Sequence, residues 1–406
     1  KTATLKVCEP MLSKAQRKHL DLLFLEAKWL YNWTIADIQN RLSNTTWKQK
    51  EVEIKVGDAF ERRKISHLSS QMWQGIIGRI FANLKALKAL KGNGQKVGRL
   101  KFKSEVKCIP LVQYGNTFKF VSQNKVKIQG MKKPLRVRGL KQIPEGAEVS
   151  HAYLVRKPSG FYVIVTYWVS KEEARKPHIG DAIGVDLGVK KQVTFSNGLV
   201  VKFMVKPSER LKALQRGLSK KQKGSKNYRK CLRKIQREYE RLANIRKDVQ
   251  NRIVGYLKHY QVVCYQKDSV KDWARVWGRQ VSWTGIGGIT SRLGNSLETP
   301  IALPRSLPTT QTCSFCGYVR KKGERLSLSE RFHVCPECGV VLDRDLNAAR
   351  SIVRYGLATL NRSPAGTVGV KPVEWEVARR VLEVSPHIRL AVSCVEAGSV
   401  VAKATA

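Results

Sequence analysis

Two short cysteine pairs constrain the fold of this 406-residue chain more than any other feature. Cys313 and Cys316 have the same C-x2-C spacing as Cys335 and Cys338, and a glycine follows each pair. Each turn places two thiols on one side, so the two turns together supply the four sulfur ligands of a closed tetrahedral zinc site. Because four thiolates leave no position for water, we expect this zinc to be structural.

The second constraint is charge. The chain has 76 Lys and Arg residues against 31 Asp and Glu residues, a formal net charge of +45. A small soluble domain usually carries a net charge of magnitude about 2 to 8, so this excess calls for a polyanionic partner. The sequence shows no apolar span of about 20 residues, no signal-peptide pattern and no lipidation motif, which disfavours a membrane surface. Nucleic acid is the predicted partner.

The distribution of the cysteines and the length of the chain limit the compartment and the number of domains that we expect. The five cysteines outside the two pairs are scattered singly: Cys8, Cys108, Cys231, Cys264 and Cys394. Cysteines that bind a metal and do not form a disulfide framework indicate a reducing compartment, so we expect a cytoplasmic protein. The length predicts two or three domains, and a 42% hydrophobic content suffices for their cores.

The first half of the chain changes pattern three times. Residues 1–12 alternate like a strand, and Ser13 can cap the helical pattern that follows. A second helical pattern covers about residues 67–90, and the polar stretch 43–60 between the two is predicted to be a loop. From residue 98 to 169 short β-rich runs predict a small β-barrel, whose first strand would be the one that precedes the helices.

A long basic segment lies between Ser208 and Leu257. Its pattern predicts two helices broken near Gly224. From Lys206 to Arg252 there are 17 Lys or Arg residues against four Asp or Glu residues. A single lysine here is typical of a solvated surface, but this density favours contact with a nucleic-acid backbone.

Acidic residues of this basic chain occur at the end of a predicted strand and at the start of a predicted helix. Asp186 ends the apolar run Ile183-Gly-Val-Asp186, and Asp343-Arg-Asp345 follows the second cysteine pair where a helix begins. The simplest interpretation is that Asp343 caps the helix and Asp345 complements its dipole. The functional interpretation is that Asp186 and Asp345 converge to hold Mg2+, which prefers carboxylate oxygen.

These motifs, in this order, resemble the TnpB proteins and their relatives, the compact type V CRISPR effectors. The resemblance covers roughly residues 180–356 and rests on IGVDLGV, the basic helical segment, VVCYQ, PTTQTCSFCG, LSERFHVCPECG and LDRDLNAARSI. It implies an RNase H-like RuvC nuclease fold, a guide RNA of the omega type made from the transposon end, one chain per RNA, and Mg2+-dependent or Mn2+-dependent cleavage of double-stranded DNA beside a short motif. Asp186 and Asp345 match the first and last RuvC acids.

The resemblance also implies an α/β multidomain architecture, in which a β-barrel wedge domain with an inserted helical recognition lobe precedes the nuclease. In chain order, the expected bounds are a first wedge strand at 1–12, the recognition lobe at 13–97, the remaining wedge domain at 98–170, a linker at 171–181, a first RuvC segment at 182–308, the zinc ribbon at 309–340, a second RuvC segment at 341–360, and a C-terminal tail at 361–406 without an assigned element.

One departure from the family pattern concerns the third RuvC acid. Most members place a Glu where this chain has Gln266, and a neutral amide cannot replace a carboxylate at a divalent ion. Three explanations are open. The chain is a guide-dependent DNA binder that cannot cleave, Asp268 supplies the third carboxylate, or a Glu elsewhere in the chain reaches the metal site. The stretch from Cys264 to Ile289 resembles a branch in which the working Glu lies beside the zinc ribbon. The matching residue is Glu330, which alternatively is only a surface partner of Arg331.

Three functions compete on this sequence. The first is an RNA-guided DNA endonuclease in which Asp186, Glu330 and Asp345 are catalytic. The second is a nuclease-dead repressor that uses the same RNA-guided binding, and only Gln266 and Glu330 discriminate it from the first. A DNA-strand transposase ranks last, because no Tyr-containing or His-rich motif suited to strand transfer stands out.

Overall fold

Two structural units, Lys1–Ala174 and Arg175–Ala406, each contain their own β-sheet. They are seen in a computed structural model that describes residues 1–43, 50–170, 172, 175–327, 329–360 and 391–394. No helix among these residues combines the length and the apolar character needed to cross a membrane.

The first unit is built on a seven-stranded antiparallel sheet with the order β4-β8-β9-β1-β7-β6-β5. Its strands are β1 (Thr2–Val7), β4 (Cys108–Leu111), β5 (Phe118–Ser122), β6 (Lys125–Ile128), β7 (Leu135–Arg138), β8 (Glu148–Lys157) and β9 (Gly160–Trp168). Strand β1 pairs with both β9 and β7, which confirms that the first strand joins the later ones. The sheet is hydrogen-bonded from β4 to β5, and its closure into a barrel stays a prediction.

The helices of this unit follow β1. They are α1 (Lys14–Ala36), α2 (Ile38–Ser43) and α3 (Ser70–Gly92). Ser13 caps α1 in a reciprocal capping box with Gln16, as its sequence position predicts. The helix packs its apolar face into the core of the sheet through Leu20, Leu23, Phe24, Ala27 and Leu30.

The predicted loop at residues 43–60 is wrong for its second half. Strands β2 (Glu51–Val56) and β3 (Ala59–Lys64) form a hairpin whose turn holds Gly57 at a φ of +63°. The alternation is present in Glu-Val-Glu-Ile-Lys-Val, and Val52 is buried. The charged residues between the apolar ones gave this segment the composition of a polar loop. Residues 44–49 of the predicted loop lie outside the described residues.

The second unit is built on a six-stranded mixed sheet with the order β14-β13-β10-β11-β12-β17. Strands β10 (Gly180–Leu187), β11 (Val193–Phe195) and β12 (Leu199–Lys202) form an antiparallel meander. Strands β13 (Tyr260–Gln266) and β14 (Thr299–Leu303) lie on the other side of β10 and run parallel to it. This order makes β10, which carries Asp186, a central strand.

The connections of this sheet hold the basic helices. Helices α4 (Glu209–Ser219) and α5 (Lys226–Leu257) lie between β12 and β13. Gly224 has a φ of +86° in the turn between them, so the predicted break is confirmed. The pair packs through Leu211, Cys231, Ile235 and Leu242, which leaves the Lys and Arg side chains facing outward.

The rest of the unit surrounds the cysteine pairs. Helices α6 (Val270–Trp277), α7 (Arg279–Thr284) and α8 (Ile286–Ser296) precede β14; strands β15 (Phe332–Val334) and β16 (Val341–Asp343) form a ribbon; and α9 (Arg344–Ala358) follows directly. One strand was not anticipated: β17 (Ala391–Cys394), in the tail that received no element, pairs with β12 at the sheet edge. The remainder of that tail lies outside the described residues.

Candidate active site and metal centre

The two cysteine turns have the geometry that their sequence predicts. In the first, the Gly317 N–H donates to the Cys313 carbonyl at 3.0 Å, and in the second the Gly339 N–H donates to the Cys335 carbonyl at 3.0 Å. Both glycines have positive φ values, 88° and 70°. Such a backbone favours glycine, which explains why one follows each pair.

The four sulfur atoms form a compact set. Within the described residues, Cys313, Cys316, Cys335 and Cys338 are the one group of three or more potential ligands whose donor atoms all lie within 4.8 Å of one another. The Cys313 and Cys338 sulfur atoms are 3.7 Å apart, and those of Cys316 and Cys335 are 3.6 Å apart. Tetrahedral zinc with its usual bond length separates sulfur ligands by about 3.8 Å. The set therefore fits a zinc ion.

The first cysteine turn is docked on helix α9. The Asn347 side chain is fully buried, accepts from the Ser314 N–H at 2.9 Å and donates to the Thr312 carbonyl at 2.7 Å. Ser351 donates to the same carbonyl at 3.0 Å, and Arg354 donates to the Phe315 carbonyl at 3.1 Å. The helix that begins with the Asp-Arg-Asp motif is thus joined to the sulfur site along one face.

The same helix packs closely on the central strand. Gly184 faces α9 so tightly that a Cβ atom there would collide with the Ala349 carbonyl and the Val353 side chain. Asp186 lies two residues later at the end of β10, and Asp345 lies in the first turn of α9. The glycine permits the approach that brings the two predicted acids to one end of the sheet.

Electrostatics shows that these acids share a site. Burial, then the negative charges of Asp345 and Asp268, raise the pKa of Asp186 well above its ordinary value, with Asp343 adding to them and Arg344 opposing them. Burial also raises the pKa of Asp268 to about 6, against an opposing effect of Arg305. Buried carboxylates that lie near one another show raised pKa values of this kind, and a bound divalent ion would reverse them.

Gln266 makes its side-chain hydrogen bonds to a segment outside this cluster. Its amide nitrogen lies within hydrogen-bonding distance of three carbonyl oxygens, those of Pro304 (3.2 Å), Arg305 (3.3 Å) and Leu307 (2.8 Å). Its amide oxygen accepts from the Thr309 hydroxyl at 3.0 Å. The side chain therefore fastens the end of β13 to the segment that leads from β14 into the first cysteine turn, a role that only a donor can fill.

Glu330 is also outside the cluster. Its side chain is exposed and accepts from the Ser327 N–H at 2.5 Å, and this hydrogen bond holds its pKa below the ordinary value. Its loop nevertheless adjoins the site, because the Arg344 N–H donates to the Arg331 carbonyl at 2.8 Å and the Arg344 guanidinium donates to the Ser327 carbonyl at 2.9 Å. Asp345 and Asp268 therefore lie within electrostatic range of Asp186, and Glu330 lies on the loop that Arg344 contacts.

Comparisons with known proteins agree with these features. A family model described as "Probable transposase" matches residues 164–263, and a model described as "Cas12f1-like, TNB domain" matches residues 299–352. A putative RNA-guided DNA endonuclease of Streptomyces pristinaespiralis is 28% identical over 340 residues, which cover 80% of this chain and 78% of that protein. TnpB-like protein L79 of Acanthamoeba polyphaga mimivirus is 27% identical over 145 residues, covering 33% of this chain and 27% of that protein.

Together these matches support the TnpB family as the group of proteins that this chain resembles. Among other relatives, the putative RNA-guided DNA endonuclease InsQ of Escherichia coli (strain K12) is 28% identical over 211 residues, covering 44% of this chain and 50% of that protein. Among solved structures, the cryo-EM structure of the Cas12f1–sgRNA–target DNA complex covers 84% of this chain and 83% of its own matched chain, with 15% identity and a TM-score of 0.47.

Some features of this candidate site were not foreseen from the sequence. The buried amide of Asn347 and the anchoring bonds of Gln266 depend on tertiary contacts, and nothing in the spacing of either residue indicates them. Lys191, whose ammonium group lies 2.6 Å from Asp343 and 3.3 Å from Asp345, did not stand out among 76 basic residues.

The sulfur geometry predicts how zinc responds to substitution. Cys335→Ser should lower the zinc content of the purified protein well below that of wild type, because it removes one of four ligands. Cys108→Ser, in the other unit, should retain the wild-type zinc content. Metal analysis by mass spectrometry measures both, and a wild-type protein with much less than one zinc per folded chain would contradict the assignment.

The raised pKa of Asp186 predicts a stability effect. Between the ordinary pKa and the raised one, the folded state binds a proton more tightly than the unfolded state, so stability falls as pH rises through this window. At about pH 7.5, Asp186→Asn should therefore raise the free energy of unfolding by at least about 1 kcal/mol, and the gain should vanish near about pH 4.

Urea unfolding in buffer free of magnesium measures this effect. Chelators must be left out, since they would also remove zinc from the cysteines. Asp181→Asn, at an exposed position of the same strand, is the matched control and should change stability little. Equal stability of Asp186→Asn and wild type at the higher pH would show that the carboxylate is not destabilising.

Proposed function

We propose that this protein is an RNA-guided DNA endonuclease that cleaves DNA by RuvC-type, metal-dependent phosphodiester hydrolysis. The observation that carries the proposal is the convergence of Asp186 and Asp345, from a central strand and an adjoining helix, beside a four-cysteine site. The names of the relatives from Streptomyces and Escherichia coli support the same activity.

The proposed partners are a guide RNA and double-stranded target DNA. The net charge of +45 requires a polyanion, and the connection between α4 and α5, together with the first turns of α5, offers a dense group of exposed cations: Lys220, Lys221, Lys223, Lys226, Arg229, Lys230, Arg233 and Lys234. Such a group binds phosphate backbones without reading sequence. Target choice then falls to base pairing with the guide, as in other RNA-guided nucleases.

The proposed cofactors are a structural zinc ion at the four cysteines and Mg2+, or Mn2+, at the acidic site. A buried carboxylate whose pKa is raised by burial and by neighbouring acids, as that of Asp186 is, is a suitable ligand for a hard divalent cation. Such ions activate water and stabilise the leaving oxygen of a phosphodiester. Asp186 and Asp345 would hold the cation from opposite elements, and Arg344 would keep the Glu330 loop beside them.

Two residues compete for the role of third carboxylate. Asp268 already lies within electrostatic range of Asp186, which favours it in the metal-free protein. Glu330 is the residue that the family branch indicates, and its loop is anchored one residue from Asp345. To reach the site, Glu330 has to exchange its hydrogen bond to Ser327 for the cation.

The proposal also covers architecture. The second unit, from its meander through α9, would be the RuvC nuclease domain, with residues 182–308 and 341–360 on either side of a zinc ribbon at 309–340. Strand β10 begins at Gly180, two residues before the expected start. In the first unit, residues 1–12 and 98–170 would form the wedge domain, and residues 13–97 would form the recognition lobe.

A nuclease-dead repressor remains the second candidate, favoured by one observation. Gln266 stands where most of the family has a catalytic Glu, and its amide is committed to anchoring the segment from Pro304 to Thr309. If neither Asp268 nor Glu330 completes the acidic site, the same fold would bind guided targets without cutting them.

The charge of the chain predicts a defined RNA partner. Protein purified after co-expression with its flanking transposon sequence should carry one enriched, structured RNA, because a +45 surface without such a ligand binds nucleic acid indiscriminately. Sequencing the extracted RNA measures this. Only random cellular RNA, with no enriched species, would argue against a guide.

The acidic site predicts which substitutions stop cleavage. Asp186→Ala and Asp345→Ala should each reduce Mg2+-dependent cleavage of a guide-matched target by at least about 100-fold and leave guided DNA binding nearly unchanged. Glu330→Gln and Asp268→Asn form a matched pair that identifies the third carboxylate. Glu337→Gln, an exposed ribbon residue, is the control and should cut at the wild-type rate.

These assays need a fixed salt concentration, because phosphate contacts weaken steeply with added salt and could imitate a catalytic loss. A target library with randomised flanking bases avoids assuming the adjacent motif. Wild-type protein that binds the matched target but cuts nothing in Mg2+ or Mn2+ would replace the nuclease proposal with the repressor.

A further inference from the structure

Lys191 makes the shortest ion pair of the acidic site. Its ammonium nitrogen lies 2.6 Å from Oδ2 of Asp343 and 3.3 Å from Oδ2 of Asp345. All three side chains are at most about one-fifth exposed. Ion pairs that are partly buried are screened less than surface pairs, so this contact neutralises negative charge where the predicted cation ligands converge.

The position of Lys191 is fixed by its own turn. Gly188 permits a close approach to the Lys191 carbonyl, which a side chain at residue 188 would block. Gln192 is buried, donates from its side chain to the Val189 carbonyl, and accepts from the Phe203 N–H at 2.7 Å. The turn that connects β10 to β11 therefore holds this lysine beside the start of α9.

The two aspartates differ in what holds them. Oδ1 of Asp343 accepts from the N–H groups of Asp345 and Leu346 at 3.0 and 3.1 Å, so this carboxylate is committed to capping α9. Asp345 has no comparable anchor among its hydrogen bonds in the described structure, and its ion pair with Arg344 is long, at 3.9 Å. Asp343 can retain the lysine while Asp345 changes partner.

We propose that Lys191 is a positioning residue that serves as the internal counter-cation of the acidic site. In the metal-free protein its ammonium group bridges Asp343 and Asp345 and holds the Asp345 carboxylate towards β10. When a divalent cation binds, the contact between Lys191 and Asp345 breaks, Asp345 binds the cation, and Lys191 stays paired with Asp343. The inference rests on the proposed cation site, and it assigns the first Asp of Asp-Arg-Asp to the lysine and the second to the metal.

The lysine and the cation then compete for Asp345, and this competition is measurable. Lys191→Met should lower the melting temperature of the full chain in metal-free buffer, because two neighbouring carboxylates lose their counter-charge. The same variant should require about tenfold less Mn2+ for half of the metal-induced rise in melting temperature, since a positive charge no longer opposes binding. A merely structural lysine would lower the melting temperature at every Mn2+ concentration and leave that midpoint unchanged.

Three further variants control the experiment. Lys191→Arg keeps the charge and should restore the wild-type midpoint, and Lys190→Met, at the exposed neighbour, should leave both readouts unchanged. Lys191→Gln removes the charge with a polar side chain, so agreement with Lys191→Met excludes a local folding defect. RNA bound to the protein also takes up Mn2+, and the double variant Asp186→Ala with Asp345→Ala measures that background.

The outcomes separate the two proposals. A site-specific Mn2+ effect with equal midpoints in wild type, Lys191→Met and Lys191→Gln would overturn the role of Lys191 and leave the cation site intact. An Mn2+ effect that the double aspartate variant does not reduce would overturn both.

Discussion

The contact between helix α9 and strand β10 determines the geometry of the second unit. Gly184 lets the helix backbone lie against the strand, and any larger residue would displace the Ala349 carbonyl. The opposite side of the helix holds the first cysteine turn through the buried amide of Asn347. Leaving such a buried amide unpaired costs about 1–3 kcal/mol, so the strand, the helix and the turn are expected to assemble together.

This arrangement couples the sulfur site to the acidic site. Zinc at the four cysteines would fold the cysteine turns, the first turn docks on α9, and α9 carries Asp345 within electrostatic range of Asp186. A ligand that binds only the folded state stabilises everything that folds with it. The structural zinc would in this way support an acidic cluster that is electrostatically unfavourable by itself. Carboxylates that repel one another are a common instance of stability given up for function.

The sequence predicted those elements of the fold that leave a local signature. The cysteine turns, the Ser13 cap and the break at Gly224 each depend on residue types that suit one backbone geometry, and each is confirmed. The hairpin from Glu51 to Lys64 was missed because few apolar residues mark the alternation of apolar and polar side chains along its strands. Strand β17 was missed because its partner, β12, is distant in sequence, and no local pattern reports such a pairing.

The candidate site was predictable to the same extent. Asp186 and Asp345 were selected because each sits in a motif; the structure places them within electrostatic range of each other, and their roles stay a prediction. The bridging role of Lys191 was not identifiable, because a lysine in a chain with 76 basic residues carries no signal until its distances to Asp343 and Asp345 are known. The third carboxylate is undetermined by sequence for a related reason: Glu330 lies in a motif that resembles one family branch, but Asp268 lies closer along the chain to Gln266, and only their three-dimensional surroundings distinguish them.

Gln266 shows why the third carboxylate has to come from elsewhere in this chain. At the end of β13, the Gln266 amide nitrogen, which has two N–H donors, lies within hydrogen-bonding distance of three carbonyl oxygens from the segment that leads into the first cysteine turn. An ionised Glu side chain has no hydrogen-bond donor, so the carbonyl oxygens would repel its negative charge. The hydrogen bonds that fasten the segment from Pro304 to Leu307 to β13 would then be lost. A third carboxylate for the proposed cation site would then come from outside that strand, from Asp268 or from the ribbon loop that carries Glu330.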